Sequence, residues 1–364
     1  MKKTVNSLYI HIPFCNKICS YCDFLKVLYF PKISGKYIDK LVEDISTIKK
    51  KFNKFKTIYI GGGTPSILSN EELELLLSSL KPLLRKKYEF TIEANPESID
   101  ETKLKLFKKY GINRISIGIQ TFNNNHLKLI NRDYNINYFK LIELVKKYID
   151  NINVDFIYGL PNETLKDIEY DLNNFLKLNV NHISLYSLMI ESGSKLYLDG
   201  YKEENQDNLR NQYDLIVKTL SKYKYNRYEV SNFSLKGKES KHNLTYWHDE
   251  EYLALGASSS GYINNIRYKN TSNISSYIKG INNIEKEVIS IKDDKEYFLL
   301  TNLRLEKGFS LSKYKERFNE DFYLSKKDII DQLIKEKIVK LTKYRFKVNK
   351  KYIYTLDSIL VKLI

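Results

Sequence analysis

Three cysteines lie within eight residues of one another, and the chain has no others. They fall in the run His11-Ile12-Pro13-Phe14-Cys15-Asn16-Lys17-Ile18-Cys19-Ser20-Tyr21-Cys22-Asp23-Phe24, with spacing C-x3-C-x2-C. Thiolates are the usual ligands of iron–sulfur clusters, which normally take four of them. Three on one short loop leave one iron without a protein ligand, and that open iron can bind a small molecule. The competing reading is a zinc site completed by a histidine such as His11. Zinc knuckles usually pair two C-x2-C motifs, and no second pair exists here.

Other groups with chemical potential follow at intervals. Gly61-Gly62-Gly63-Thr64-Pro65 lets a backbone approach a ligand closely, because no Cβ intervenes. Glu93 and Asp155 can accept from an amine or from ribose hydroxyls, and Arg132 can grip a carboxylate bidentately. Gln120 completes the set. Each alone reads as a solvated surface residue; together, at the ends of successive strands, they line one pocket.

Six short apolar runs must position these groups, at residues 7–13, 57–60, 89–93, 114–119, 153–158 and 182–188. Each ends in glycine, proline or a polar turn. Between them the apolar spacing is helical, as in Leu73, Leu75, Leu76, Leu77 and Leu80. Strands alternating with helices imply a parallel sheet with crossover helices. The runs read as nearly continuous in apolar residues, as for strands buried on both faces. A complete eightfold barrel needs about 250 residues, and six units fill only residues 1–200. The expected fold is therefore α/β, a partial, open, TIM-like (β/α)6 barrel. The polar signals all follow the strands, which in barrels is the active-site end. Residues 201–285 read as an extension with a strand at 228–233. Residues 286–364 read as a small C-terminal helical, winged-helix-like domain: helices at 293–303, 311–318 and 326–336, a β pair at 338–341 and 345–348, and a last helix at 356–363. A lid or scaffold is expected there rather than a DNA reader.

The chain has 364 residues, 42% of them hydrophobic, enough for a substantial core. The net charge of +16 favours anionic partners, but the lysines are scattered, as an AT-rich genome would produce, and no nucleic-acid role is expected. Peripheral attraction to anionic lipid is compatible with that charge. No apolar run approaches the roughly 18 residues that span a bilayer. Met1-Lys2-Lys3-Thr4 leads straight into the first strand, which reads as leaving no room for a cleaved leader. Clustered thiols without a disulfide framework suit a reducing compartment, so a cytoplasmic location is expected.

The cysteine loop, the glycine-rich turn after the second strand and the six-unit partial barrel resemble the radical S-adenosylmethionine superfamily. In that family the open iron chelates the amine and carboxylate of S-adenosylmethionine, whose reductive cleavage yields a 5′-deoxyadenosyl radical. Further motifs narrow the resemblance: His11 to Cys15, Gly61 to Ser66, Ile92 to Pro96, Ser116 to Phe122, Val154 to Pro161, His182 to Tyr186 and Asn302 to Gly308. They are similar to the branch containing oxygen-independent coproporphyrinogen III oxidase and the HemW proteins, and they cover nearly the whole chain. The oxidase carries a further cysteine two positions past the cluster motif; Phe24 stands there, as in HemW proteins. The HemW branch also carries His-Asn-x-x-Tyr-Trp, present as His242-Asn243-Leu244-Thr245-Tyr246-Trp247.

The resemblance implies a heme chaperone that binds a 4Fe–4S cluster, S-adenosylmethionine and heme and passes heme to an acceptor protein, with the oxidative decarboxylase, or radical chemistry on another substrate, as alternatives. It assigns Cys15, Cys19 and Cys22 to the cluster. It assigns Tyr9, Gly62 and Glu93 to cluster-bound S-adenosylmethionine, and Tyr21, Gly63, Thr64, Gln120, Arg132 and Asp155 to positions around a second such molecule in the oxidase. It assigns no catalytic side chain. The family often has Gly-Arg-x-His where this chain has Asn131-Arg132-Asp133-Tyr134, so the arginine survives and the histidine does not. His242 is the candidate heme ligand, because imidazole can ligate heme iron; a structural hydrogen bond in a Tyr–Trp cluster is the alternative. His11 is expected to orient the cysteine loop and His182 to be structural, while His126 and His248 carry no context.

Overall fold

The computed structural model describes residues 2–281 and 283–364. Its strands in chain order are β1 (Ser7–Ile12), β2 (Phe14–Cys15), β3 (Val27–Leu28), β4 (Phe55–Gly62), β5 (Leu84–Ala94), β6 (Arg114–Gln120), β7 (Asn151–Tyr158), β8 (His182–Ser187), β9 (Asn226–Arg227), β10 (Asn232–Ser234), β11 (Tyr252–Leu255), β12 (Ser260–Ile263), β13 (Ile266–Lys269), β14 (Glu285–Val288), β15 (Phe309–Ser310), β16 (Val339–Leu341) and β17 (Arg345–Val348). A 12-stranded open sheet runs in the order β14-β13-β12-β11-β1-β4-β5-β6-β7-β8-β10-β9. From β1 to β8 in that order every neighbour is parallel. Parallel neighbours need crossovers, supplied by helices Pro31–Lys51, Asn70–Leu80, Glu101–Tyr110, Tyr138–Lys146 and Leu165–Lys177. Local chemistry starts these helices where the sheet needs them. Ser69 with Glu72, and Thr164 with Asp167, form capping boxes that satisfy the first free amides.

The strands are not apolar on both faces, and this corrects the sequence reading. Along β6, Ile115, Ile117 and Ile119 face the helices, while Arg114, Ser116, Gly118 and Gln120 face the barrel interior. The same period of two separates Leu8, Ile10 and Ile12 from Tyr9 and His11 in β1, and Val154 and Phe156 from Asn153 and Asp155 in β7. The main hydrophobic core therefore lies between sheet and helices, and the curled sheet encloses a polar interior.

The six expected strands are present, and two additions lengthen the sheet. β11 pairs parallel with β1, with Tyr252 opposite Ser7 and Leu255 opposite Ile10. The strand expected at 228–233 is broken: β9 and β10 form a short antiparallel pair, interrupted by bends at Val230 and Ser231. A second core lies near the C-terminus, where Phe309 and Phe346 each pack against Phe322 with ring centroids 5.0 Å apart. Helices Ile291–Asn302, Leu311–Phe318, Lys327–Lys335 and Leu356–Leu363 surround the three-stranded sheet β15-β17-β16. Arg317 ties this unit to the rest, bonding Asp249 at 2.9 Å as well as Asp294, and Arg267 reaches the same Asp249 at 2.7 Å. Among the described residues no helix is long and apolar enough to cross a membrane.

Candidate functional site

The cysteine loop is held at both ends and along its side. β2 pairs with β3, setting Cys15 opposite Leu28 and closing the loop between them. The Ser20 amide donates to the Ile130 carbonyl at 3.1 Å, and Asn131 Nδ2 donates to the Ile18 carbonyl at 2.7 Å. Beneath the loop, the amides of Gly63 and Thr64 donate to the carbonyls of Ile12 and Phe14. Cys15 is buried, while Cys19 and Cys22 are half-buried, and all three thiols are free. Burial pushes the Cys15 thiol up to about 11, partly offset by the Thr64 hydroxyl donating to its sulfur at 3.6 Å. Arg132 Nε donates to Cys19 Sγ at 3.2 Å, tying the loop to the barrel wall. Among the described residues no three His, Cys, Asp or Glu side chains converge tightly enough to hold a single metal ion.

Space in the glycine turn is reserved. A Cβ on Gly63 would stand 2.8 Å from Cys15 Sγ and 2.8 Å from the Phe14 carbonyl. Gly62 has φ of +85°, and a Cβ there would stand 2.4 Å from His11 Nδ1. A Cβ on Gly61 would meet the Glu93 carboxyl at 2.9 Å, so the missing side chain lets that carboxyl lie across β4. Tyr59 donates to Glu93 Oε1 at 2.6 Å. Burial pushes the Glu93 carboxyl up to about 8; Tyr59 pulls it down, and nearby Asp155 raises it.

Opposite Glu93, Asp155 accepts from Asn153 Nδ2 at 2.8 Å, and burial raises its pKa. Arg132 is buried, and its Nη1 donates to Asn95 Oδ1 at 3.0 Å and to the Gly118 carbonyl at 2.8 Å. The register of β6 against β7 slips between Gly118 and Gln120, and Gln120 has φ of 73°, a left-handed conformation that is strained for a residue with a side chain. The slip turns Gln120 toward Arg132 at the end of the strand.

These groups enclose one cavity of about 560 Å³, within the usual range for small-molecule sites. Tyr9, Tyr21, Gly62, Gly63, Thr64, Glu93, Gln120, Arg132, Asp155 and the three cysteines all line it. His242 does not. It sits at the opposite, N-terminal end of the strands, fully buried in the helix Lys241–Trp247. Its Nδ1 is bonded to Thr57 Oγ1 at 2.8 Å and its Nε2 to Tyr246 Oη at 2.7 Å. Both ring nitrogens are engaged, so neither is open to an iron without breaking these bonds. The Glu89 carboxylate accepts from the amides of Lys241 and His242, and Thr245 bonds Ser7 at 2.8 Å. This helix is the floor of the barrel, and Asn243 faces the cavity from it.

Three of the four remaining histidines are also placed. His11 bonds Tyr9 at 2.9 Å beside the glycine turn. His182 spans Asn153 and Tyr228 at 2.5 and 2.8 Å. His126 Nδ1 lies 4.0 Å from Glu163. Residues not anticipated are Tyr59, Arg114, Ser116, Asn153, Ser184 and Tyr186, all on the wall. Alternation of polar and apolar residues in 114–120 and 182–186 is the signal that could have found them. At the mouth stand exposed apolar side chains, Phe24 at 68% and Met189 at 62%, flanked by Lys17 and Lys26.

Comparison with known proteins agrees with this geometry. Residues 9–174 match the model of the radical SAM superfamily. The chain is similar to a heme chaperone HemW from Lactococcus lactis, 39% identical over 351 residues, covering 93% of this chain and 92% of that one. A heme chaperone HemW from Bacillus subtilis is 35% identical over 86% of this chain and 87% of its own. Among solved structures, coproporphyrinogen III oxidase from Escherichia coli superposes with a TM-score of 0.85 at 20% identity, covering 99% of this chain and 90% of the oxidase. At that identity the match speaks for the fold.

Proposed function

The chain belongs to the radical SAM superfamily and, within it, to the HemW family, and from that footing we propose that it is a heme chaperone: it holds a 4Fe–4S cluster and S-adenosylmethionine, binds heme, and passes the heme to an acceptor protein. The observation that carries this reading is the 39% identity to a heme chaperone along 93% of the chain.

The residues present fit the implied groups. Three free thiols on one pinned loop suit three irons of a cluster, and Gly63 leaves a cradle beside Cys15 that a methyl group would fill. Cys15, Cys19 and Cys22 would hold the cluster. Tyr9, Gly62 and Glu93 would hold the cofactor on it, and Tyr21, Gly63, Thr64, Gln120, Arg132 and Asp155 would serve a second ligand. When bound, cluster and sulfonium supply one-electron chemistry. The chain's own part is positioning. The Arg132 guanidinium, fixed by Asn95 and Gly118, steadies the Cys19 sulfur. The Tyr59 hydroxyl holds the Glu93 carboxyl toward the glycine turn.

Heme release to an acceptor is supported at the cavity mouth, where Phe24 and Met189 offer apolar contact and Lys17 and Lys26 offer positive charge for propionates. We read residues 1–200 as the cofactor-holding barrel, 201–285 as its extension and floor, and 286–364 as a scaffold packed beside it. A cytoplasmic location is supported by three free cysteines, since disulfides are rare there.

The test is anaerobic reconstitution with iron and sulfide, titration with heme, and transfer to an apo-hemoprotein followed by its Soret band. Saturable binding and transfer are expected. Absence of heme binding, or decarboxylation of coproporphyrinogen III by the reduced protein with S-adenosylmethionine, would overturn the reading.

A further inference from the structure

Arg114 is the largest fully buried side chain of the fold, 2% exposed, and it lines the cavity from the first position of β6. Its Nε has no hydrogen-bond partner among the described residues. Burying a guanidinium without a hydrogen-bonded counter-charge is strongly unfavourable, so such groups are normally paired in the working state. Glu93 and Asp155 feel its charge, yet among the described residues neither forms an ion pair with it: Glu93 is bonded by Tyr59 at 2.6 Å and Asp155 by Asn153 at 2.8 Å.

The position is far from the cluster loop. Arg114 and Gln120 begin and end the seven-residue β6, and at ~3.3 Å per residue their backbones lie about 20 Å apart. Arg114 therefore sits toward the end of the cavity opposite Gln120 and the cysteine loop. In sheet register Arg114 is level with Thr91, whose buried hydroxyl is likewise unpartnered among the described residues. Ser116, Asn153 and Ser184 continue the polar wall above it. The planar fork of a guanidinium matches a carboxylate bidentately.

We propose that Arg114 seats the carboxylate of a second ligand at the closed end of the cavity, separate from the molecule at the cysteine loop. The inference rests on the reading of the site given above. That reading offers two sources of the same chemistry, the amino-acid carboxylate of a second S-adenosylmethionine or a propionate of heme.

The experiment uses the full chain with its cluster reconstituted, as native protein, Arg114→Met and Arg114→Lys. Each is titrated with S-adenosylmethionine, its decarboxylated analogue, heme and heme dimethyl ester. For the seated ligand, Arg114→Met is expected to bind at least about tenfold more weakly and Arg114→Lys to lose less, since a charge-assisted hydrogen bond is worth about a factor of ten or more. If the source is heme, the dimethyl ester binds native protein as weakly as heme binds Arg114→Met. If the source is the sulfonium, Arg114→Met takes up one equivalent of S-adenosylmethionine fewer than the native protein while its heme affinity is unchanged. Equal binding of the acids and their carboxylate-free analogues by native protein would overturn the inference even if Arg114→Met does not fold. So would native affinities in a folded Arg114→Met. A native protein that binds neither S-adenosylmethionine nor heme would instead bring down the functional reading itself, and this inference with it.

Discussion

A methyl group's worth of space decides the cluster loop. Gly63 touches Cys15 so closely that an added Cβ would stand 2.8 Å from both the sulfur and the Phe14 carbonyl. One of those neighbours is backbone, already bonded to the Thr64 amide at 2.7 Å, so it cannot swing aside as a flexible side chain would. Gly63→Ala is therefore expected to push Cys15 off its position. Iron and sulfide per chain after anaerobic reconstitution should fall below about half the native value, with circular dichroism unchanged. Native iron content in that variant would show that the loop yields. The carboxyl beside it is decided by one hydroxyl. Glu93→Gln keeps the volume and the contact to Tyr59 but cannot become charged. Cluster content should be retained while affinity for S-adenosylmethionine drops about tenfold, the range for a lost charge-assisted hydrogen bond; equal affinity would remove Glu93 from the binding role.

The helix Lys241–Trp247 shows what an element can do that its residues, read singly, do not announce. Its first amides donate to Glu89 from β5, Thr245 reaches Ser7 of β1, and His242 reaches Thr57 of β4. Three strands far apart in sequence are thus closed from below by one short helix. His242→Ala should leave the Tyr246 hydroxyl unpaired, leave Thr57 only its bond to Ser7 at 2.9 Å, and open a void under Tyr59, whose ring stacks on His242 at 5.1 Å. A loss of about 2–4 kcal/mol in stability is expected from the void and the orphaned Tyr246 hydroxyl. The Soret spectrum of bound heme should not move; a shifted band with unchanged stability would restore His242 as an iron ligand. The sequence carried the motif but not its place, because nothing local records that residue 242 lies under residue 57. β11 was hidden for the same reason: four residues, Tyr252–Leu255, acquire their meaning only beside β1. The six parallel strands were legible because each carries its own apolar side and its own turn. The C-terminal helices and the β16–β17 pair were legible too, whereas β15 has two residues, too few to show a period. Arg114 is hidden in the same way, since a lone arginine reads as surface until the alternation with Ile115, Ile117 and Ile119 is counted.

Across the whole molecule, buried ionisable groups set how stability responds to pH. Asp171 is fully buried; it accepts from the Thr121 hydroxyl and the Phe122 amide and faces Asp167. Burial pushes it up to about 7, Glu229 up to about 7 and Glu163 up to about 8. In the unfolded chain such carboxyls titrate near 4. From about pH 4 up to those values the folded chain holds protons that the unfolded chain has released, so rising pH favours unfolding, by at most about 1.4 kcal/mol per unit for each carboxyl. His182 and His242 act with the opposite sign. Burial lowers both, His242 to about 3. Below about pH 6.5 the unfolded chain gains protons there that the folded chain refuses, so stability falls as pH drops. The two slopes oppose each other below 6.5, and only the carboxyl slope persists above it. The urea midpoint of the cluster-free protein should therefore decline between pH 6.5 and 8.5. Asp171→Asn, nearly the same shape with one charge fewer to bury, should flatten that decline and equal or exceed the native midpoint at pH 8. A midpoint that rises over this range, or an Asp171→Asn slope as steep as the native one, would mean these carboxyls ionise inside the fold as readily as in water.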